Sequence, residues 1–219
     1  MGISSAISAI IGYNLRILPE SLICGIIFLA IILVSQPLMI LAIGVLFTQL
    51  FTHVSGKLLV KYTPGYYEAT TISKCDELCA PDFIGKPWWR LLSNTSDVIW
   101  NPKSPSVYLA TLAYLVGVGM ALLLIYKEEI NAKVVPNSSL ITTGIISGIL
   151  LLIAIIFRTS NGCETIFAAL GGTIIGLLLG YLGTIVLSYS TNRRATNIWG
   201  IPLIRDRCAA MFTDNSVQK

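Results

Sequence analysis

Lys, Arg, Asp and Glu are absent from four long stretches of the chain: Ser21 to Gly56, Ser104 to Tyr126, Val134 to Phe157 and Thr165 to Asn192. Each exceeds the roughly 20 apolar residues that carry a helix across a bilayer. As one helix the first would run about 54 Å, nearly twice a ~30 Å hydrocarbon core, so it must fold back on itself. Ser35-Gln36-Pro37 lies near its middle, where proline removes a backbone donor and disfavours helix at the residue before it. The pattern predicts an all-α, multi-span transmembrane helix bundle over residues 20–192, with about five spans near 20–34, 38–56, 105–126, 139–157 and 165–189.

Outside these runs the pattern changes. Ile3, Ile7, Ile10, Ile11, Leu15 and Leu18 recur at helical spacing with Ser4, Ser5, Ser8 and Asn14 between them, which predicts an N-terminal interfacial helix over residues 1–19. Arg16 is the one basic group there and no apolar core precedes a small-residue cleavage site, so the helix is expected to stay attached. Ala6 stands where N-myristoylation wants Ser or Thr, which argues against a lipid anchor. Residues 57–104 form an extramembrane segment, polar and rich in turn formers. Its Trp88, Trp89 and Trp100 suit the headgroup level, and a polar basic tail fills 193–219. Counting spans puts residues 57–103 on one face with the 158–164 loop, and 127–133 with the tail on the other. Arg193-Arg194 leans towards a cytoplasmic C-terminus. Of the glycosylation patterns at Asn94 and Asn137, on opposite faces, at most one can be used.

Composition agrees with a lipid setting. Apolar residues make up 54% of the 219 and charged residues 12%, about half of what a water-soluble surface needs. The basic residues behind the net charge of +4 are scattered, which leaves no nucleic-acid footprint. The expected partners are the bilayer and a protein that docks on the extramembrane segment or tail. His53 is the only histidine, so neither a metal nor a cofactor is expected. Cys75 and Cys79 are spaced for a local disulfide or for two free thiols on one helical face, and Cys24 reads as core.

Small residues mark helix contacts. Gly172, Gly176 and Gly180 form one stripe in the last span, and Gly144 with Gly148 repeats the device in the fourth. Packing within the bundle is the favoured use of both, ahead of a homodimer face.

Arg158-Thr159-Ser160-Asn161-Gly162-Cys163-Glu164-Thr165, followed by Ala168 and Gly172, resembles the third signature of the type 2 phosphatidic acid phosphatases. That signature has an arginine, a glycine four on, the nucleophilic histidine six on, an aspartate ten on and a helix glycine fourteen on. Arg158, Gly162 and Gly172 keep the register, whereas Glu164 stands at the histidine position and Ala168 at the aspartate position. Pro105-Ser106-Val107-Tyr108 is similar to the second signature, Pro-Ser-Gly-His, with Tyr108 replacing the acid histidine. Lys57 to Pro64 resembles the first, with Lys57 one residue out of register, Lys61 nearby and Thr63 in place of arginine. Leu203-Ile204-Arg205-Asp206 is similar to the tail of the dolichyl-diphosphatase branch.

The resemblance implies a helical bundle and, in intact members, hydrolysis of a lipid phosphate through a phosphohistidine. That chemistry needs a nucleophile and a proton donor, and both histidines are missing here. The chain is therefore expected to be a pseudophosphatase: a non-catalytic membrane protein with a structural or scaffolding role and a vestigial phosphate pocket of Arg158, Glu164, Tyr108, Lys57 and Lys61. An ion pair between Arg158 and Glu164 is expected to block it. Decayed copies of this kind resemble proteins of the internal membrane of large DNA viruses, where the partner would be the capsid or other membrane proteins. A cellular endoplasmic-reticulum relative is the other origin. The alternatives are a binder of a phosphorylated lipid and, after it, an active lipid phosphate or polyprenyl-diphosphate phosphatase.

Overall fold

The computed structural model describes Leu18 and residues 21–62, 105–127, 137–160, 164–190 and 196–198. These residues are mostly helical and include no strand. The helices are α1 (Ser21–Ile32), α2 (Gln36–Tyr62), α3 (Val107–Ile125), α4 (Asn137–Ser160) and α5 (Ile166–Ser190). The last four are long and apolar enough to cross a membrane, as in a multi-pass integral membrane protein. The first expected span, near 20–34, falls on α1, whose described residues cover about 18 Å, less than a ~30 Å hydrocarbon core, while the other four expected spans are the long helices. The second expected span also runs on, since α2 continues past Lys57 to Tyr62. Of the 1–19 helix only Leu18 is described. Cys75, Cys79, the tryptophans, both glycosylation patterns at their asparagines' side chains and the basic tail beyond residue 198 lie outside the described residues.

The fold-back falls slightly before Ser35-Gln36-Pro37. Ser35 N–H donates to Ala30 O at 3.2 Å and Val34 N–H to Ile31 O at 3.4 Å, the paired bonds of a Schellman helix end. Val34 takes the left-handed position, φ 47°, where glycine is the usual occupant. Met39 N–H then donates to Ser35 O at 3.0 Å, and Pro37 sits in the first turn of α2, where its missing donor costs nothing.

α3 is the central helix. Gln49 Nε2 donates to Thr111 Oγ1 at 3.3 Å while Gly44 lies against the Tyr114 ring, so α2 runs antiparallel to α3. Gly144 of α4 faces Leu123 while Arg158 faces Tyr108, which makes α4 antiparallel as well. α5 runs parallel to α3 and approaches it most closely. A Cβ added to Gly172, Gly176 or Gly180 would strike the backbone of Ser106, Ala110 or Tyr114, and one on Gly117 would lie 2.6 Å from Leu177 O. With no water to squeeze out between helices in lipid, such approach supplies the packing. Gly144 and Gly148 require a different account from the one their spacing suggests. The first would bring a Cβ only to ordinary contact with Leu123, and the second faces open space, so neither is needed for close approach.

Two apolar clusters flank the seam: Ile23, Leu41, Val45, Tyr114, Val118, Leu122 and Tyr126 on the α1–α2 side, and Leu109, Leu112, Ala113, Leu151, Ala154 and Ala169 on the α4 side. Cys24 is exposed on α1, contrary to its expected core position. The outward faces stay apolar, as Ile145, Ile149, Leu152 and Ile156 of α4 illustrate, and these suit contact with lipid. Buried Thr48, Thr52, Thr173 and Thr184 donate to carbonyls four residues back at 2.7–2.8 Å, so their hydroxyls need no partner across a helix interface. Gly176→Ala is expected to lower stability in detergent by about 1–3 kcal/mol through overpacking, and Gly148→Ala to lower it not at all. Thermal unfolding of the two variants checks this contrast.

Candidate functional site

The antiparallel and parallel packing gathers the end of α4, the start of α3 and the start of α5 at one end of the bundle. Ser106 N–H donates to Ala168 O at 3.0 Å, which ties the residue before α3 to the first turn of α5. Ser106 is the N-cap of α3, its Oγ accepting from Leu109 N–H at 3.1 Å. Thr165 plays the same part for α5, with Oγ1 accepting from Ala168 N–H at 3.2 Å.

Between these helix starts lies Glu164. Its Oε1 accepts from Arg158 Nε at 2.8 Å and from Ser106 Oγ at 2.7 Å, and pairs with Arg158 Nη2 at 2.6 Å. Arg158 is buried and Glu164 lies at the edge of burial, their side chains 8% and 9% exposed. The Arg158 guanidinium also covers the Tyr108 ring, 4.4 Å from its centroid. Arg158 belongs to the last turn of α4, where a cation meets the negative end of the helix dipole, and Glu164 precedes α5, where an anion meets the positive end. Charge, hydrogen bonding and dipoles thus converge on one carboxylate oxygen. The other, Oε2, is buried and has no hydrogen-bond partner among the described residues.

Of the residues expected in a vestigial pocket, Arg158, Glu164 and Tyr108 come together. Lys57 lies on α2 past His53, and no hydrogen bond or ion pair joins it to the other three among the described residues. Lys61 is on the same helix, but its side chain lies outside the described residues. Sequence reasoning left Ser106 out of the pocket, although a serine directly before an apolar run is an N-cap signal. It also missed the buried Nε2 of His53, which has no hydrogen-bond partner among the described residues. His53 is one turn beyond Gln49 on α2, so the antiparallel register brings it level with the first turn of α3.

Among the described residues no group of three His, Cys, Asp or Glu side chains is placed to hold a metal ion. Towards the other end, a cleft of about 140 Å³ lined by Leu41, Val116, Met120, Leu123, Thr143 and Ile198 falls below the several hundred Å³ of an ordinary ligand pocket. The tail returns there, with the hydroxyls of Tyr126 and Thr196 3.4 Å apart. No protein-family model, curated protein or solved structure matches the chain.

Ser106→Ala removes both the cap and one donor to the carboxylate. It is expected to cost about 1–3 kcal/mol in unfolding experiments in detergent. An unchanged unfolding transition would mean that Ser106 contributes little to the cluster.

Proposed function

We propose that the chain is a non-catalytic membrane protein, a pseudophosphatase in which Glu164 fills the place a phosphate would take beside Arg158. The observation that carries this reading is the convergence of Arg158 Nε, Arg158 Nη2 and Ser106 Oγ on Glu164 Oε1. An arginine so engaged has its charge neutralised, and a carboxylate at that point repels an anionic substrate. The resemblance of Arg158 to Gly172 and of Pro105 to Tyr108 to phosphatase signatures supports the same reading. It supplies the ancestral pocket that Glu164 would have closed.

Glu164 is poorly suited to attack phosphorus. Its Oε1 is engaged by Arg158 and Ser106, its Oε2 is buried, and Tyr108 and Ala168 provide neither the histidine donor nor the aspartate of the family pattern. Its role is then structural: a bundle that fixes the chain in a membrane, with residues 57–104 or the basic tail available for a protein partner such as a capsid or another membrane protein. Binding a lipid phosphate at Arg158 is the weaker reading, because Glu164 would have to leave first.

Purified protein in detergent is expected to release no phosphate from phosphatidic acid or polyprenyl diphosphate above a protein-free control, with Glu164→Ala giving the same result. Phosphate release that disappears in Glu164→Ala would overturn the proposal and make Glu164 a nucleophile.

A further inference from the structure

Gly119 of α3 faces open space: a Cβ built there meets no atom within 4 Å among the described residues. It belongs to the floor of the cleft of about 140 Å³, whose sides are Leu41 of α2 and Thr143, Gly144 and Ser147 of α4. Apart from Thr143 and Ser147 the lining is apolar, and Ser147 Oγ already donates to Thr143 O in its own helix at 2.8 Å. A buried water needs several polar partners, which this lining does not offer, so the occupant it suits is apolar. An apolar space of this volume admits a group of about benzene's size, in a protein one large side chain.

The chain itself leads to this cleft. Thr196 is buried beside the Tyr126 hydroxyl, and Ile198 forms part of the lining and packs on the cluster of Leu41, Leu122 and Tyr126. The sequence continues with Trp199-Gly200-Ile201-Pro202-Leu203-Ile204, which carries no charge and no polar side chain but the indole, before Arg205-Asp206-Arg207. Three residues of extended chain cover about 10 Å. The cleft runs along α3 from Leu115 to Leu123, about 12 Å at ~1.5 Å per residue, so Ile201 is within reach of Gly119. A lipid chain matches less well, because half of a ~30 Å hydrocarbon core is about 15 Å and the chain would overhang a space that admits one side chain. Apolar residues left in water, by contrast, gain from burial wherever a matching surface lies in reach.

We propose that the cleft between α2 and α4 is the docking site of the segment Trp199–Ile204 of the same chain, with the Ile201 side chain over Gly119. Gly119 and Gly144 leave the room for it, and the flexible Met120 side chain adjusts the wall. The part of the tail offered to a partner then begins at Arg205. The proposal does not depend on how Arg158 and Glu164 are read.

The test uses the full-length chain in phosphatidylcholine vesicles, with a diazirine analogue of leucine in place of Ile201 or, for comparison, of Ser216. Cross-linking to the peptides 115–123 or 143–147 is expected to be at least about tenfold stronger from position 201, in keeping with the burial of one branched side chain. Gly119→Leu fills the cleft from its floor and is expected to lower the yield from position 201 by a similar factor. Copies of two isotopic compositions, mixed before reconstitution, separate links within a chain from links between chains. Adducts of position 201 chiefly with lipid would overturn the proposal in favour of an acyl chain, and links chiefly between chains would overturn it in favour of a second copy. Equal or absent cross-linking from the two positions contradicts it outright. So does a yield indifferent to Gly119→Leu in protein that still unfolds cooperatively. If Gly119→Leu does not fold, the comparison of positions 201 and 216, which leaves the cleft unchanged, decides alone.

Discussion

Backbone contact between α3 and α5 is the constraint on which the rest of the bundle depends. Gly172, Gly176 and Gly180 meet the backbone at Ser106, Ala110 and Tyr114 with no room for a side chain, and Gly117 answers from α3. Two parallel helices held this closely begin at the same depth. That common depth lets Ser106 N–H reach Ala168 O and its hydroxyl reach Glu164. α2 and α4 then complete the bundle by packing antiparallel against α3.

The charged cluster is a consequence of this geometry. Removing an arginine and a glutamate from water is expensive, and the pair persists only with good geometry and further donors. Here the serine that caps α3 also donates to the carboxylate, and the tyrosine one turn into the same helix lies beneath the guanidinium. α3, α4 and α5 each contribute to the cluster, so it closes the end of the bundle where three helices meet. Outside it, the buried polar groups of the spans are mostly threonines satisfied within their own helix. Ionisable groups in such surroundings require a specific partner, and Arg158 has one.

Much of this was legible in the residues. The uncharged runs located the long helices because lipid tolerates few charges, and the glycine spacing at 172, 176 and 180 named the closest contact. The meeting of Arg158 with Glu164 followed from their place at the two sides of one short connection. Other features were hidden for physical reasons. The fold-back at Val34 uses a left-handed residue without the glycine that normally signals it, so the turn signal in the residues is Pro37, one residue into α2. Gly144 and Gly148 share the spacing of the true seam yet face Leu123 or open space, because spacing identifies a stripe without saying whether another backbone lies over it. Ser106 looked like a cap alone, and its second bond depends on a contact across nearly sixty residues of sequence. Lys57 shares the bundle end with the pair in sequence logic, but no described bond draws it in.

The central claim is that Arg158 and Glu164 neutralise each other inside the bundle. A double-mutant cycle with Arg158→Met, Glu164→Gln and the combined variant, followed by unfolding in detergent, measures that coupling most directly. Each single change is expected to cost about 3–5 kcal/mol by stranding a buried partner, and the double variant to cost clearly less than the sum. Strictly additive losses would contradict the account, since they would mean that the two side chains act independently.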